Sequence, residues 1–253
     1  MTITHDRSTK TIALVTGANR GLGLATAQLL GEAGTTVLLG ARNAAKAEIA
    51  AARLRDRGID CWPLTLDVES ELSIAAAAER VRLDHGRLDI LINNAGILPE
   101  ATTADAAQPL DLDLFRRTFD TNVFGVAAVS QAFLPLLTDS EAGRIVNVSS
   151  RMGSLADQLD PSSPYAGMVV PAYQTSKAAL NGLTIALSKS LSGTSVRVNS
   201  VCPGWVQTDL GGPDNRAAAP MKADEAARTV VDMALPTEGP TGTFVDLDGV
   251  VPW

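Results

Sequence analysis

Cysteine is scarce: Cys61 and Cys202 are the two thiols in 253 residues. They lie far apart, without zinc-ligand or redox-pair spacing, so neither a disulfide framework nor a metal site is expected. They read as free thiols in a reducing cytosol. Basic residues are outnumbered, 21 Lys and Arg against 28 Asp and Glu, for a net charge of −7. That balance argues against a sequence-independent nucleic-acid binder, which needs a dense cationic surface, and against anionic membranes. It leaves room for a local basic pocket holding one phosphate. No run approaches the roughly 18 apolar residues that span a bilayer. Met1–Lys10 is polar, without the apolar core of a secretory signal, and is expected to be flexible. There is no internal repeat, low-complexity tract or long linker, and the reading is a cytoplasmic globular protein.

What is present suits one large folded unit. The 45% hydrophobic and 19% charged residues exclude disorder. A chain of this mass buries about 70% of its unfolded surface, so no covalent staple is needed. Short β-branched runs recur at 12–16, 36–39, 61–65, 90–92, 145–148, 196–201 and 243–245, several apolar on consecutive residues. Such runs fit strands covered on both faces. Between them lie helical stretches, the first with Leu22, Ala25, Leu29 and Ala33 on one face and Gly34 as a stop. Others fall at 44–57, 70–83, 111–137 and 172–191, with Pro135 expected to kink or end the fourth. Alternating strand and helix predicts an α/β fold: about seven strands, mainly parallel, doubly wound with helices on both faces. Residues 1–253 are one domain, and 154–171 and 209–220 read as loops over a site.

Thr16-Gly17-Ala18-Asn19-Arg20-Gly21-Leu22-Gly23 follows the first strand and opens the first helix. Gly17 permits a tight turn, while Gly21 and Gly23 let backbone amides approach a pyrophosphate at a helix N-terminus. The spacing is G-x-x-x-G-x-G, not the commoner G-x-G-x-x-G, and alone it also suits an ordinary strand–helix turn. About 20 residues on, where a dinucleotide site usually carries an acid for the ribose hydroxyls, the acid is missing. Leu39-Gly40-Ala41-Arg42-Asn43 stands there instead. Arg42, with Arg20 from the turn, offers guanidinium to a ribose phosphate that a carboxylate would repel. The reading is NADP(H) over NAD(H), against two plain surface arginines, and Ala41-Arg42 to Asp-Ala is the swap expected to reverse it.

Tyr173 and Lys177 are four residues apart, on one face of a helix. A phenol titrates near pH 10 unless a nearby cation stabilises its phenolate, and Lys177 supplies one. The other tyrosine, Tyr165, has Val169 at that offset. Ser149-Ser150 ends an apolar strand, where loops line the ligand crevice of a parallel sheet. Ser150, with Ser149 as the alternative, is the candidate donor to a carbonyl oxygen. Asn122 is polar within an apolar helix, either functional or a buried structural amide.

Together these residues resemble the short-chain dehydrogenase/reductase family, in its single-domain branch, over nearly the whole chain. Leu66-Asp67-Val68 resembles its adenine-contacting Asp-Val, and Asn93-Asn94-Ala95-Gly96 its turn after the fourth strand. Pro203-Gly204-Trp205-Val206-Gln207-Thr208 resembles its P-G-x-x-x-T, whose Val and Thr positions meet the nicotinamide carboxamide and phosphates. The resemblance implies a Rossmann-type sheet and a tetrad of Asn122, Ser150, Tyr173 and Lys177. Tyr173 would protonate the carbonyl oxygen and Ser150 polarise it. Lys177 would tune the tyrosine and hold the nicotinamide ribose, and Asn122 would anchor a relay water. Two stretches are most similar to NADPH-dependent carbonyl reductases: the segment from Cys202 to Leu210, and the tail Pro252-Trp253. Ser150 and Tyr173 stand 23 residues apart, a wider gap than is usual in the family. The extra residues should sit at the pocket mouth.

The expected activity is reduction of a ketone or aldehyde with NADPH. The alternatives are oxidation of a secondary alcohol (a sugar, steroid or polyketide-type intermediate) and a non-catalytic NADP(H) sensor. Arg151, Met152, Trp205 and Leu210 are the candidate pocket, with Trp205 a lipophilic wall or a core residue under the loop. The small carbonyl or alcohol substrate is the expected partner. The resemblance implies a homodimer or tetramer packed through the helices carrying Asn122 and Tyr173, with a monomer as the alternative.

Overall fold

The computed structural model describes residues 10–103 and 110–253. The flexibility expected of the N-terminus concerns residues outside that range, except that Lys10 is tied to Asp60 by an ion pair of 3.1 Å. The elements run β1 (Ile12–Val15), α1 (Gly21–Glu32), β2 (Thr36–Ala41), α2 (Ala44–Arg55), β3 (Cys61–Thr65), α3 (Glu71–His85) and β4 (Ile90–Asn93). Then come α4 (Glu100–Thr103), α5 (Leu112–Phe119), a π-helical turn (Asp120–Phe124), α6 (Gly125–Thr138) and β5 (Arg144–Val148). A 3-10 turn (Arg151–Gly153), α7 (Leu155–Leu159), α8 (Pro171–Ser190) and β6 (Arg197–Val201) follow. The chain closes with a 3-10 turn (Asp209–Gly211), α9 (Gly212–Ala218), α10 (Ala223–Ala234), β7 (Phe244–Asp246) and β8 (Gly249–Val250).

The sheet order is β3-β2-β1-β4-β5-β6-β7-β8, parallel except for the last, antiparallel pair. It holds eight strands against the expected seven or so; β8 is two residues long, too short to leave a sequence pattern. Side chains alternate between two cores. Ala13, Val15, Val37, Leu39, Ile90 and Ile92 face one, packed with α1, α2 and α10. Ile12, Leu14, Leu38, Leu91 and Ile145 face the other, with α3 and α6. Burial on both faces explains the consecutive apolar runs. Strand order reverses between β1 and β4, so the crevice lies at the C-terminal ends of those two strands.

Several local readings change. The core-facing residues of α1 are Gly23, Thr26, Ala27 and Leu30, with Leu22 and Leu29 only partly buried and Ala33 exposed. Small residues let α1 sit close, and a face drawn through the leucines misplaces its rotation. Gly34 does end the helix, at φ +88°. Pro135 lies inside the last turn of α6, which stops three residues later. Residues 154–171 and 209–220 are not plain loops, because Ser154 caps α7 and Thr208 caps a 3-10 turn ahead of α9. The sequence reading missed α10.

The stretch Leu112–Thr138 is long and apolar enough by composition to cross a membrane, contrary to the expectation from the sequence. Half of its apolar window is buried in this fold. Val129, Phe133, Leu136 and Leu137 pack into the core beneath β4 and β5, as a core helix does.

Candidate active site

The glycine turn sits at the C-terminal end of β1, pressed against the turn that follows β4. A Cβ on Gly17 would stand 3.0 Å from the Ala95 Cα, and one on Gly23 would stand 2.5 Å from the Asn94 Nδ2. These glycines therefore serve close packing as well as any ligand. Thr16, which the sequence reading left out of the site, joins the two turns. Its hydroxyl accepts from the Asn94 and Ala95 amides at 3.0 Å each. Asn94 in turn donates to the Thr16 carbonyl at 2.8 Å.

The residue preceding α1, Arg20, makes no side-chain cap, so the first amides of the helix face the crevice without a side-chain acceptor. Gly21, at φ +56°, brings that N-terminus near Thr208, whose Cγ2 lies 3.3 Å from where a Cβ would be. An uncapped helix start at the switch point of a parallel sheet fits a pyrophosphate. Beside it Asn19, Arg20, Lys46, Ile49, Ala50 and Arg53 line a cavity of about 260 Å³. Lys46 and Arg53 went unnoticed in the sequence; they stand seven apart on α2, on a face whose meaning depends on the neighbouring turn.

The expected convergence of Arg20 and Arg42 is not what the structure shows. Arg20 pairs with Asp209 at 3.0 Å, and Asp209 also holds Arg216 at 2.9 Å. A carboxylate is the nearest anion, and the long exposed side chain turns to it. Arg42 is exposed at the end of β2, and Asn43 caps α2 through the Lys46 amide. Asp67 is half-buried, its carboxylate taken by the Glu69 amide at 3.2 Å. Val68 presses its carbonyl against Gly125, where a Cβ would stand 2.9 Å away.

The tetrad residues come together from three places: the π turn, the end of β5 and α8. Tyr173 and Lys177 lie in α8, 6% and 5% exposed, with the Lys177 Nζ 5.5 Å from the centre of the phenol ring. The Tyr173 phenol hydrogen-bonds the Ser150 hydroxyl, and Lys177 donates to the Val148 carbonyl at 2.8 Å. Ser149 turns the other way, donating to Asn181 at 2.7 Å, which leaves Ser150 as the serine that faces the phenol. Asn122 is fully buried in the π turn. It accepts from the Ile97 amide at 2.9 Å and donates to the Ile97 carbonyl at 3.0 Å and the Ser176 hydroxyl at 3.1 Å. Through Ile97 it holds the turn carrying Gly96, where a Cβ would lie 3.8 Å from Lys177 Nζ.

Burial sets the electrostatics. It pushes the Tyr173 phenol up from its ordinary value and outweighs the Ser150 hydrogen bond that favours the phenolate. Lys177, expected to lower it, is not among the groups that shift the phenol in this fold. The same burial brings Lys177 down from 10.5 to about 8.

Of the pocket candidates, Arg151 is committed elsewhere: it pairs with Asp157 at 2.7 Å and Asp246 at 3.2 Å and lies over the Tyr165 ring. It knots the base of the inserted segment. Met152 is half-buried beside Ser150, its amide donating to that hydroxyl at 3.2 Å. Trp205 and Leu210 are 47% and 42% exposed, and the Trp205 indole donates to Asn215 of α9. Trp205 is thus at the rim and not in the core. Pro203 is buried, while Gly204 and Val206 are half-buried, the latter bridging in parallel to Met221.

The chain matches the short chain dehydrogenase family model over residues 11–219. It is 39% identical over 241 residues to the short-chain dehydrogenase anuI of Penicillium roqueforti, covering 91% of this chain and 90% of that one. It is 31% identical to carbonyl reductase [NADPH] 1 of Mus musculus, covering 97% and 99%. The NADPH-bound carbonyl reductase from chicken fatty liver superposes with a TM-score of 0.81 at 29% identity, covering 96% and 99%. The chain belongs to the short-chain dehydrogenase family. It is an oxidoreductase with a Rossmann-type sheet, carbonyl-reductase-like in its relatives.

Proposed function

We propose that the chain is an NADPH-dependent reductase of ketones or aldehydes, with Tyr173 as the proton donor. The observation that carries this reading is the buried Tyr173 phenol, bonded to Ser150 and backed by Lys177. NADPH, when bound, supplies the hydride. Ser150 positions the carbonyl oxygen, and the Tyr173 Oη passes its proton to that oxygen as negative charge develops there. The phenol is protonated at neutral pH with or without burial, and burial disfavours its phenolate further, as suits a proton donor. Oxidation of an alcohol would start from the phenolate, which burial disfavours. Asn122 fixes the Gly96–Ile97 turn against Lys177, and Trp205, Met152 and Leu210 offer an apolar rim to the substrate.

The uncapped start of α1 fits the pyrophosphate, flanked by Asn19, Leu22 and Thr208. By the resemblance to the family, Asp67 and Val68 would hold the adenine, Asn94, Ala95 and Gly96 the ribose, and Pro203, Gly204 and Val206 the nicotinamide. The cavity carrying Arg20, Lys46 and Arg53 supports a phosphate on the adenosine ribose, and Arg42, exposed at the end of β2, would be a further cation for it. The first experiment is NADPH oxidation followed at 340 nm over ketones, aldehydes, quinones and sugars, with NADH in parallel. Turnover with NADPH supports the reading. Tight NADPH binding without turnover over the whole panel would replace it with the sensor.

The charge on Lys177 sets a pH dependence. Its ammonium, which we assign to the nicotinamide ribose, is lost as pH rises through about 8. The kcat/KM for NADPH is expected to fall across that point, and a profile flat to pH 9.5 contradicts the assignment. Unfolding does not explain such a fall. Between about 8 and 10.5 the unfolded lysine binds a proton that the folded one does not, so this group stabilises the fold as pH rises there.

Leu112 and Phe124 are exposed on the helix that carries Asn122, and the Phe115, Phe119 and Phe124 rings form a ladder along it. An apolar face of this kind supports a homo-oligomer packed through α5 and α6. Light scattering is expected to give at least twice the 26.3 kDa chain mass, and a monomer at that mass overturns it.

A further inference from the structure

α8 begins without a cap of its own. Asn43, Ser70, Asp111 and Ser154 cap α2, α3, α5 and α7 with their own side chains, whereas Val170, ahead of α8, provides none. Its opening donors can be accounted for one by one. Pro171 has no N–H, and the Gln174 amide reaches the Val170 carbonyl at 2.9 Å. That leaves the Ala172 and Tyr173 amides, both buried. Each donates to one carboxylate, Glu100, at 2.9 Å to Oε1 and 2.8 Å to Oε2.

Glu100 comes from α4, more than 70 residues back, and is itself 7% exposed. α4 also packs against α9 and the 3-10 turn before it. Thr102 closes on Gly212 so tightly that a Cβ there would lie 2.5 Å from its Cγ2. One short helix thus touches the substrate-side cover on one flank and the start of the Tyr173 helix on the other. A charge-assisted pair of bonds to adjacent amides fixes both the height and the rotation of a helix start. One of those amides belongs to the residue whose phenol must meet the substrate.

We propose that Glu100 is a positioning residue: by gripping the Ala172 and Tyr173 amides, it sets the Tyr173 phenol against Ser150 for proton transfer. This rests on the reading of Tyr173 as proton donor. Misplacing a reacting group by about 1 Å can lower a rate about 10²-fold, so the effect belongs in kcat. NADPH binding, built on the glycine turn at the other side of the crevice, should be spared.

The test compares wild type, Glu100→Ala, Glu100→Gln, Glu100→Asp and Tyr173→Phe, reading kcat, NADPH affinity by fluorescence and the thermal midpoint. Glu100→Ala is expected to lose about 10- to 100-fold in kcat with NADPH affinity within about twofold of wild type. Glu100→Asp, still able to accept from the amides, should recover most of the loss. Glu100→Gln should fall between them, because its NH2 faces one of the two N–H groups. If Glu100→Ala does not fold, the order Asp above Gln in kcat carries the test. Equal kcat in the Gln, Asp and wild-type proteins, with Tyr173→Phe inactive, overturns the role of Glu100 alone. So does a loss of kcat matched by an equal loss of NADPH affinity, which would mark general loosening. A wild type without turnover on any carbonyl overturns the reductase reading, and this proposal with it.

Discussion

Tyr173→Phe is expected to lower kcat by about 10²- to 10⁴-fold, the span usual for removing a positioned general acid. NADPH affinity should hardly change, because Lys177 and the glycine turn remain. The fold should hold as well. The deleted hydroxyl is bonded to Ser150, and a neutral hydrogen bond contributes about 0.5–1.5 kcal/mol net. Ser150 still accepts from the Met152 amide and is only half-buried, so its own hydroxyl can donate to water instead. Large loss of turnover, retained binding and a nearly unchanged melting point are therefore expected together. A variant retaining more than a tenth of wild-type kcat would mean that the proton comes from elsewhere.

The second large effect is on cofactor choice. Arg42→Ala is expected to weaken NADPH binding by about 10- to 100-fold, since a hydrogen bond to a charged group contributes about 1.5–3 kcal/mol. NADH binding should stay within a few-fold of wild type. Arg20→Ala should act in the same direction but less strongly. In the structure Arg20 is held by Asp209, and a ribose phosphate must win it from that carboxylate. The pair is exposed, 70% on the arginine side and 46% on the aspartate side. Exposed pairs contribute about 0–1 kcal/mol, so the exchange is not prohibitive. Titration calorimetry with both cofactors checks the point, and an unchanged NADPH-to-NADH ratio in Arg42→Ala rules out the assignment. The structure also improves the swap suggested by sequence alone. Ala41 is 3% exposed within the sheet core, so an aspartate there would bury a charge. Arg42→Asp tests cofactor choice without that penalty.

The fold was largely legible because its signals are local. A strand buried on both faces must be apolar at successive positions, and β1, β2 and β4 obey that rule. The glycine turn was legible too: Gly17 adopts φ +64° and Gly21 φ +56°, conformations that favour glycine. What failed was information held by neighbours. The face of α1 depends on Gly23 fitting against Asn94, and α7 and α9 are too short for periodicity to show. The break in the long helix at Asp120–Phe124 has no pattern of its own. It accompanies the placement of Asn122, whose amide must reach the Ile97 backbone.

The site divides in the same way. Sequence alone determined which groups are present: a phenol and an ammonium one helical turn apart, two serines after a strand, and an arginine where an acid is usual with a second in the glycine turn. Those are spacings along the chain, and helix and strand geometry convert them directly into shared faces and shared ends. Tertiary structure decided which serine faces the phenol, where Arg20 and Arg151 turn, and that burial is the largest influence on the Tyr173 phenol. It alone brought Glu100 to the start of α8. Each of these depends on contacts between segments distant in sequence and on how much water the fold excludes, and neither is written in the spacing of residues.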